Sequence, residues 1–369
     1  MKIIHCADIH LDARMTSNLD TVKAKERRLE ILATFLRMIE WAEKEEVEAV
    51  MIVGDLFDTS NIYASTKNAI INAVTSHPNI IFYYLNGNHD VSNFIHTMEV
   101  IPDNLRLFSN QWTSYEQIGQ DGSRVVFTGV ELENTQGENI YDALVLNHEA
   151  YNIVMLHGQQ NKYASKDKAE VIHLEALKNK GIDYLALGHV HEPSQGRLDN
   201  RAKWRYCGCL EGRGFDECGE HGFVLLECKN ANEWEDTFIP FARRRLHTVT
   251  IDASGSQTSP EILTKINKGL KEEQIPSGDL VKVVLTGTVD VNCEKNIVYL
   301  VTQLKEQFYY IKIYDEMKLR VDYSDYVNDV SLKGEYVRLV MGETSLSEEE
   351  KAELVRAGIQ ALAGEALDE

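Results

Sequence analysis

Five short motifs in this sequence combine carboxylate, imidazole and amide side chains, and each follows an apolar run that predicts a buried strand. The carboxyl ends of the strands in an open α/β sheet face one crevice, where such folds bind ligands. Side chains from remote positions in the chain are therefore expected to converge at one place. Seven of them are candidate metal ligands: Asp8, His10, Asp55, Asn88, His157, His189 and His191.

These seven side chains offer oxygen and imidazole nitrogen donors and no thiolate, which is the ligand set of Mn²⁺, Fe²⁺ or Zn²⁺. Seven ligands are too many for one ion, whereas with Asp55 as a bridge they fit two ions about 3.5–4 Å apart. A pair of ions at that separation clamps the attacking and leaving oxygens of an in-line displacement at phosphorus. The motifs therefore predict a dinuclear centre for phosphoryl chemistry.

In order along residues 8–191 the motifs read D-x-H, G-D-x-x-D, G-N-H-D, H and G-H-x-H. This ordered set resembles the signature of the calcineurin-like metallophosphoesterases. The loop that runs on to Arg213 and Glu217 further resembles the SbcD-like DNA repair exonucleases, although Cys207 and Cys209 stand where that family has proline and serine. The resemblance implies an α/β fold in which a metallophosphoesterase β-sandwich flanked by helices is followed by a small α+β capping domain and a C-terminal helix.

The resemblance also divides the seven ligands between two ions that share one carboxylate. The first ion would be bound by Asp8, His10, Asp55 and His191. The second ion would be bound by Asp55, Asn88, His157 and His189. Two Mn²⁺ ions are expected, with Fe²⁺ or Zn²⁺ as alternatives, and a hydroxide that bridges them would attack the phosphodiester.

Three further residues of the motifs receive catalytic or supporting roles by the same resemblance. His89 would protonate the leaving oxygen or stabilise its charge. Asp90 would orient His89 or a ligand, and Asp58 would hold the tautomer of His10. Candidate contacts to the substrate lie in the loops around the motifs: Arg14, Lys162 and Arg213.

The length of 369 residues exceeds that of a usual single domain. Three parts are expected: a phosphoesterase domain over 1–245, an α+β capping domain over 246–342 and an acidic C-terminal helix and tail over 343–369. No apolar run approaches the roughly 18–20 residues that span a bilayer, and the N-terminus has no signal-peptide pattern. We therefore expect a cytoplasmic protein that makes no membrane contact.

Helical periodicity predicts a helix over 21–44 and another over 169–179. The first would bury an apolar stripe formed by Leu29, Leu32, Phe35, Leu36 and Ile39. Its first turns also carry basic residues, which form either a solvated face or a contact to a phosphate backbone: Lys23, Lys25, Arg27 and Arg28.

Beyond residue 245 the pattern reads strand, helix, strand, helix, strand as far as residue 314. Near the end of the chain, Ser347 and Glu350 match a capping box that opens a helix. The apolar face of this helix, formed by Val355, Ile359 and Leu362, would pack back on the protein or dock on a partner. The six cysteines include no CxxC pair, which favours reduced thiols over a zinc site built from Cys207, Cys209 and Cys218.

Three functions are compatible with these patterns. The first is an SbcD-like DNA exonuclease or endonuclease in DNA repair, acting as a homodimer with an SMC-like ABC ATPase partner. The second is a phosphodiesterase or phosphatase for a small phosphate ester, which the formal net charge of −20 favours because DNA binding usually leaves a basic footprint. The third is a binding scaffold without metals, which the intact set of seven ligands argues against.

Overall fold

The computed structural model describes residues 1–15, 19–58, 62–90, 100–132, 140–160, 171–230 and 233–363. The chain divides into two compact units, Met1–Arg245 and Leu246–Glu369. Among the described residues, no helix is long and apolar enough to cross a membrane.

Two six-stranded sheets form most of the described part of the first unit, with one further two-stranded sheet. In chain order its strands are β1 (Lys2–Cys6), β2 (Ala49–Val53), β3 (Ile81–Leu85), β4 (Leu105–Leu107), β5 (Thr113–Ile118), β6 (Arg124–Gly129), β7 (Tyr151–His157), β8 (Gln159–Gln160), β9 (Val171–Ile172), β10 (Tyr184–Gly188), β11 (Ser194–Arg197), β12 (Lys203–Tyr206), β13 (Gly222–Asn230) and β14 (Glu233–Pro240). The first sheet has the order β14-β13-β1-β2-β3-β4, and the second has the order β11-β12-β10-β7-β6-β5.

The two six-stranded sheets pack face to face, which confirms the β-sandwich that the family resemblance implies. Buried side chains from β1, β2 and β3 meet those of β6, β7 and β10 in one continuous core. Tyr83 and Phe127, one from each sheet, stack with their ring centroids 3.9 Å apart. Strands β1 to β4 are mutually parallel, as are β6, β7, β10 and β12, so each sheet gathers the carboxyl ends of several strands at one edge.

Helices pack on the outer faces of this sandwich. They are α1 (Thr21–Lys44), α2 (Ala64–Ser76) and the single turn α3 (Leu174–Leu177), with a 3₁₀ turn at Ile140–Ala143. The bounds of α1 agree with the prediction, and Asp20 caps it by accepting from the backbone N–H groups of Val22 and Lys23.

The helix predicted over 169–179 is wrong in its described part. Val171–Ile172 forms β9, which pairs in parallel with Gln159–Gln160 of β8, and only Leu174–Leu177 is helical. Two adjacent β-branched residues favour extended backbone, and Ile172 is fully buried in the apolar cluster outside the second sheet. Tertiary burial therefore overrides the weak helical periodicity here.

The buried stripe of α1 is also rotated from its predicted position. Leu29 is 56% exposed, whereas Arg27 is 1% exposed. The residues that α1 buries are Ala24, Arg27, Ile31, Thr34, Phe35, Met38, Ile39 and Ala42. A charged residue therefore occupies a position on the inner face of the helix, which apolar periodicity could not indicate.

Arg27 lies inward because it forms a buried ion pair with the loop that follows β12. Its guanidinium donates to Glu211 Oε2 at 3.0 Å and to the Gly212 carbonyl oxygen at 2.9 Å. The same carboxylate accepts from Thr34 Oγ1 at 2.7 Å and from the backbone N–H of Arg243 at 2.6 Å. Arg27 therefore belongs neither to a solvated face nor to a phosphate contact.

The second unit contains a three-stranded parallel sheet of order β15-β16-β18. The strands of this unit are β15 (Leu246–Asp252), β16 (Leu280–Thr286), β17 (Thr288–Asp290), β18 (Tyr310–Asp315) and β19 (Lys318–Arg320). Strands β17 and β19 pair with each other in a separate two-stranded sheet. The helices of the unit are α4 (Ser259–Glu272), α5 (Ile297–Leu304), α6 (Leu332–Gly342) and α7 (Glu348–Ala363), with a 3₁₀ turn at Tyr323–Tyr326. The predicted alternation of strands and helices up to residue 314 is confirmed.

The capping box that opens α7 is also confirmed. Ser347 donates from its backbone N–H to Glu350 Oε2 at 2.7 Å, and Glu350 returns a backbone N–H to Ser347 Oγ at 3.3 Å. Val355 is fully buried against α6, whereas Leu362 is 46% exposed. The apolar face of α7 therefore packs back on the second unit through Val355 and the partly buried Ile359.

Replacing Arg27 with alanine should destabilise the protein by about 3–5 kcal/mol, because the buried Glu211 carboxylate loses its cation. Lys25→Ala, on the exposed face of the same helix, should change the free energy of unfolding by less than about 0.5 kcal/mol. Urea denaturation followed by circular dichroism measures both variants. If Arg27→Ala lowered the free energy of unfolding no more than Lys25→Ala does, the result would contradict the buried ion pair.

Candidate metal centre

The seven predicted ligands come from both sheets of the sandwich and meet between the carboxyl ends of their strands. The first sheet supplies Asp8 and His10 after β1, Asp55 after β2 and Asn88 after β3. The second sheet supplies the rest, with His157 as the last residue of β7 and His189 and His191 after β10. The centre therefore depends on the packing of one sheet against the other.

Asp55 lies between two groups of donor atoms. Its Oδ2 atom is 3.7 Å from His10 Nε2 and 3.4 Å from His157 Nε2. On one side, His10 Nε2 is 3.1 Å from His191 Nε2, and Asp8 has an oxygen within 4.8 Å of both imidazoles. On the other side, Asp8, Asp55 and His157 bring one ligand atom each within 4.8 Å of one another.

Asn88 connects the remaining two histidines. Its Oδ1 atom is 3.1 Å from His157 Nε2 and 3.1 Å from His189 Nδ1. The structure thus brings all seven donors into one cluster, with Asp55 and Asp8 at its centre.

The loops that carry these ligands are tied together by backbone hydrogen bonds. The N–H groups of Asp8 and His10 donate to the carbonyl oxygens of Gly54 and Asp55 at 3.1 and 3.0 Å. The backbone N–H of His189 donates across the sandwich to the Asp8 carboxylate, 3.0 Å from each oxygen. These bonds hold the Asp8 carboxylate and join the loop of Asp8 and His10 to the loop of Asp55.

Four of the ligands have a left-handed backbone, which residues other than glycine rarely adopt. The φ angles are 52° at Asp8, 50° at His10, 52° at Asp55 and 101° at His189. Such conformations cost about 1–3 kcal/mol each and persist where the surrounding structure imposes them, commonly at functional sites. At these four residues the strained backbone lies in the sharp turns that follow the strands and present the side chains.

Two glycines of the motifs make room for the ligands. A Cβ atom on Gly54 would lie 2.0 Å from His157 Nδ1, and one on Gly87 would lie 2.3 Å from Asp55 Oδ1. Both distances are impossible for real atoms. The glycine that precedes the aspartate in the second motif is therefore required by a histidine on the opposite sheet.

The outer nitrogen atoms of three histidines have acceptors that fix which nitrogen faces the cluster. His157 Nδ1 donates to the Val53 carbonyl oxygen at 2.9 Å, and His191 Nδ1 donates to Glu217 Oε1 at 2.7 Å. His10 Nδ1 lies 3.2 Å from Asp58 Oδ1. In each case Nε2 points inward, which is the usual way in which an outer acceptor orients a metal-binding imidazole.

Glu217 is the supporting residue that sequence reasoning missed. It accepts from His191 Nδ1 and also binds Arg213, whose Nη2 donates to Glu217 Oε1 at 3.0 Å. The only signal in the sequence is its position at the end of the loop that resembles the exonucleases, and spacing gives no reason to pair it with His191. The Arg27–Glu211 ion pair anchors the start of the same loop to α1.

Burial and mutual charge set the protonation of the cluster. Burial lowers the pKa of His10 and of His189 to about 4, so both imidazoles are neutral near pH 7. Burial raises the pKa of Asp8 to about 6. Burial alone would lower the pKa of His157, but the hydrogen bond and charge of Asp55 raise it to about 10.

This donor set fits divalent cations. Two buried carboxylates face imidazole nitrogens and an amide oxygen, and a proton on His157 is the counter-charge that a cation would replace. The oxygen and imidazole donors suit Mn²⁺, Fe²⁺ or Zn²⁺. A further group of His10, Asp58 and His89 also brings one ligand atom each within 4.8 Å, so the distances alone do not separate His89 from the ligands.

The other predicted site residues differ in how they relate to the cluster. His89 is exposed beside it, with its ring centroid 5.1 Å from that of His10 and its Nδ1 atom 3.3 Å from the Asp58 carbonyl oxygen. Asp90 is buried and accepts from the backbone N–H groups of Leu56, Phe57 and Gly87, so it supports the loop of Asp55 rather than contacting the His89 ring.

The three predicted substrate contacts also have different surroundings. Arg213 is half-buried behind His191 and donates to Asp58 Oδ1 at 3.0 Å as well as to Glu217, so carboxylates already hold its guanidinium. Arg14 is exposed four residues after His10. Lys162 lies outside the described residues.

Comparisons with known proteins agree with this geometry. A family model described as Calcineurin-like phosphoesterase matches residues 1–193, a range that includes all seven candidate ligands. The DNA double-strand break repair protein Mre11 of Sulfolobus acidocaldarius is 24% identical over 389 residues, which cover 96% of this chain and 97% of that protein.

Two bacterial relatives match over shorter ranges. The SbcD component of the nuclease SbcCD of Staphylococcus epidermidis is 24% identical over 65% of this chain and 69% of its own length. The uncharacterized metallophosphoesterase YhaO of Bacillus subtilis is 24% identical over 68% of this chain. The match spans 61% of the Bacillus protein, which is less than two thirds of its length.

Replacing Gly54 with alanine should displace His157 and lower metal affinity at least about 10–100-fold, the usual cost of disturbing the support of a ligand. Gly122→Ala is a matched control, because its φ of 81° is close to the 83° of Gly54 but no atom lies within 4 Å of its added Cβ. In both variants the strain of alanine in a left-handed conformation should lower the free energy of unfolding by about 1–2 kcal/mol. Metal content by mass spectrometry separates them, and equal metal content would contradict the steric role of Gly54.

Proposed function

Because the chain belongs to the calcineurin-like phosphoesterases, a family of metal-dependent hydrolases, we propose that it is a dinuclear phosphodiesterase that cleaves DNA. The observation that carries the proposal is the convergence of seven oxygen and nitrogen donors around the shared carboxylate of Asp55. When bound, a pair of divalent cations would supply an activated water and would neutralise charge on the phosphate.

The chain's own residues would hold these cations and position the phosphodiester. One ion would be bound by Asp8, His10, Asp55 and His191. The other would be bound by Asp55, Asn88, His157 and His189. Mn²⁺ is the proposed native metal, and Asp58, Glu217 and the Val53 carbonyl oxygen would keep the histidines in their ligating orientation.

His89 is the proposed proton donor to the leaving oxygen. Its side chain is exposed at the mouth of the cluster, while its backbone N–H donates to Asp55 Oδ1 at 2.9 Å. With Nδ1 facing the Asp58 carbonyl oxygen, Nε2 is left to face a substrate. The loop that carries His89 is therefore held by its backbone, which leaves the imidazole available to donate a proton to the leaving oxygen.

Two observations favour DNA over a small phosphate ester. The relatives that match include a DNA double-strand break repair protein along nearly its whole length and a component of a nuclease. Beside the loop of His10, the guanidinium carbon of Arg28 lies 4.7 Å from the ring centroid of Tyr63, which is 52% exposed. Aromatic and cationic groups side by side suit the bases and phosphates of a nucleic acid.

Partners of the chain follow from the same proposal. By its resemblance to the SbcD-like nucleases, the chain would act in DNA repair as a homodimer with an SMC-like ABC ATPase partner. The exposed Leu362 of α7 is a candidate for that contact.

A small phosphate ester is the alternative substrate class, and specific observations favour it. The formal net charge is −20. Several arginines that could have contacted a phosphate backbone are bound to carboxylates: Arg27 to Glu211, Arg213 to Asp58 and Glu217, and Arg244 to Glu30. A small substrate would need no extended basic groove.

His89→Ala should retain its metals and lose about 10²–10⁴-fold in kcat, because the variant removes the proton donor while its backbone N–H still supports Asp55. His148→Ala, an exposed histidine outside the cluster, should retain full activity. Metal content and single-turnover rates are measured on the same samples. A fall in metal content would instead make His89 a ligand, in line with its closeness to His10 and Asp58.

Tyr63→Ala should slow Mn²⁺-dependent cleavage of end-labelled DNA about 5–100-fold, the usual value of one stacked base. Hydrolysis of bis-p-nitrophenyl phosphate by the same variant should be unchanged, because the proposed role of Tyr63 is to stack on a base of a longer strand. Single-stranded and duplex DNA should also compete with this model substrate more strongly than mononucleotides do. Stronger competition by mononucleotides, with no cleavage of DNA, would favour the small-substrate alternative.

A further inference from the structure

A cavity of about 570 Å³ lies in the first unit, away from the candidate metal centre. It is lined by Tyr151, the first residue of β7, whereas the metal-ligand candidate His157 is the last residue of that strand. Six steps of extended chain separate these residues by about 20 Å. The cavity therefore lies at the opposite end of the sandwich, and no residue of the metal centre lines it.

One wall of the cavity is aromatic. Trp234 of β14 stacks on Tyr151, with ring centroids 4.3 Å apart and planes inclined by 18°. The two rings come from the two different sheets, and Trp234 remains partly exposed. A rigid pair of this kind offers a flat apolar surface for another planar ring.

The charged residues that line the cavity are mainly basic. Arg197, Arg201 and Lys203 line it together with the acidic Asp183. Arg201 is neutralised by Asp183 through contacts of 2.6 and 2.7 Å. Arg197 donates to the backbone carbonyl oxygens of Asp199 and Asn200, at 2.9 and 3.0 Å, and no carboxylate among the described residues forms an ion pair with it.

Lys203 adds to the positive charge. It shares the carboxylate of Asp236 with the buried Arg205. Arg197, Arg201 and Lys203 line the cavity with Asp183, while Arg205 and Asp236 lie behind Lys203, so four cations and two carboxylates leave an excess of two positive charges. Counting the neighbouring Asp199, whose carboxylate accepts from three backbone N–H groups, the excess is still one.

We propose that this cavity binds a nucleotide, with its base against Trp234 and its phosphate between Arg197 and Lys203. The volume falls in the range of ordinary small-molecule sites, about 300–1,000 Å³. An aromatic pair and a net positive charge in one cavity match the two halves of a nucleotide, because bases stack on aromatic rings and phosphates pair with guanidinium groups. The nucleotide would be either a free molecule or one residue of a nucleic-acid strand.

Isothermal titration calorimetry of the full chain in EDTA tests this site, since no metal is then available to hold a phosphate elsewhere. The titrants are AMP, adenosine, inorganic phosphate and a short single-stranded oligoadenylate. AMP should bind more tightly than adenosine or phosphate alone. Tighter binding of the oligonucleotide than of AMP would assign the site to a strand, and the reverse would assign it to a free nucleotide.

Arg197→Gln should weaken AMP binding about tenfold or more by removing a charge-assisted hydrogen bond. Arg106→Gln is the matched control, because that guanidinium also donates to backbone carbonyl oxygens of its own loop but lies outside the cavity. Trp234→Ala should lower the affinity for AMP at least about fivefold. Trp234→Phe keeps an aromatic ring for stacking and for packing in the core, so it should lower that affinity less.

Several results would overturn the proposal. The first is that AMP does not bind at millimolar concentration. The second is that Arg197→Gln and Arg106→Gln change the affinity for AMP equally. The third is that phosphate binds as tightly as AMP and that neither Trp234→Phe nor Trp234→Ala changes the affinity for AMP. The proposal does not depend on DNA cleavage, so a chain that fails as a nuclease can still bind the nucleotide here.

Discussion

The charge of two buried carboxylates is the constraint on which the rest of the structure depends. Asp8 and Asp55 are 1% and 2% exposed, and the contacts described above hold them with imidazoles and backbone N–H groups. Moving an ionised carboxylate out of water costs several kcal/mol unless an opposite charge compensates it. The sandwich therefore concentrates negative charge where its two sheets meet, and a pair of cations would stabilise that arrangement.

Support for the cluster extends well beyond the motifs. Arg27 of helix α1 forms an ion pair with Glu211. The loop that starts at Glu211 places Glu217 beside His191, where it accepts a hydrogen bond from Nδ1. Asp90 also supports the cluster, because its carboxylate accepts hydrogen bonds from the backbone of the loop that carries Asp55. Side chains without any role in chemistry thus determine where the reactive atoms lie, as is common around metal sites.

The sequence indicated which side chains converge better than it indicated the residues that support them, for physical reasons. Ligands follow strand ends and share short motifs, so local patterns reveal both the strand and the donor. Glu217 and His191, or Arg27 and Glu211, meet only in the folded chain, and in the second pair 184 residues separate the partners. The exposure of Leu29 and the strand at Val171–Ile172 have the same origin, because tertiary burial outweighed helical periodicity at both places.

The distribution of the ligands over two sheets has a consequence for the nascent chain. When ribosomal synthesis has delivered only the first sheet's strands up to β4, four of the seven donors exist but their partners on β7 and β10 do not. The last histidine emerges at residue 191, and the carboxylate that orients it follows at Glu217. A growing polypeptide would thus carry no competent hydrolytic centre until most of the first unit has left the ribosome.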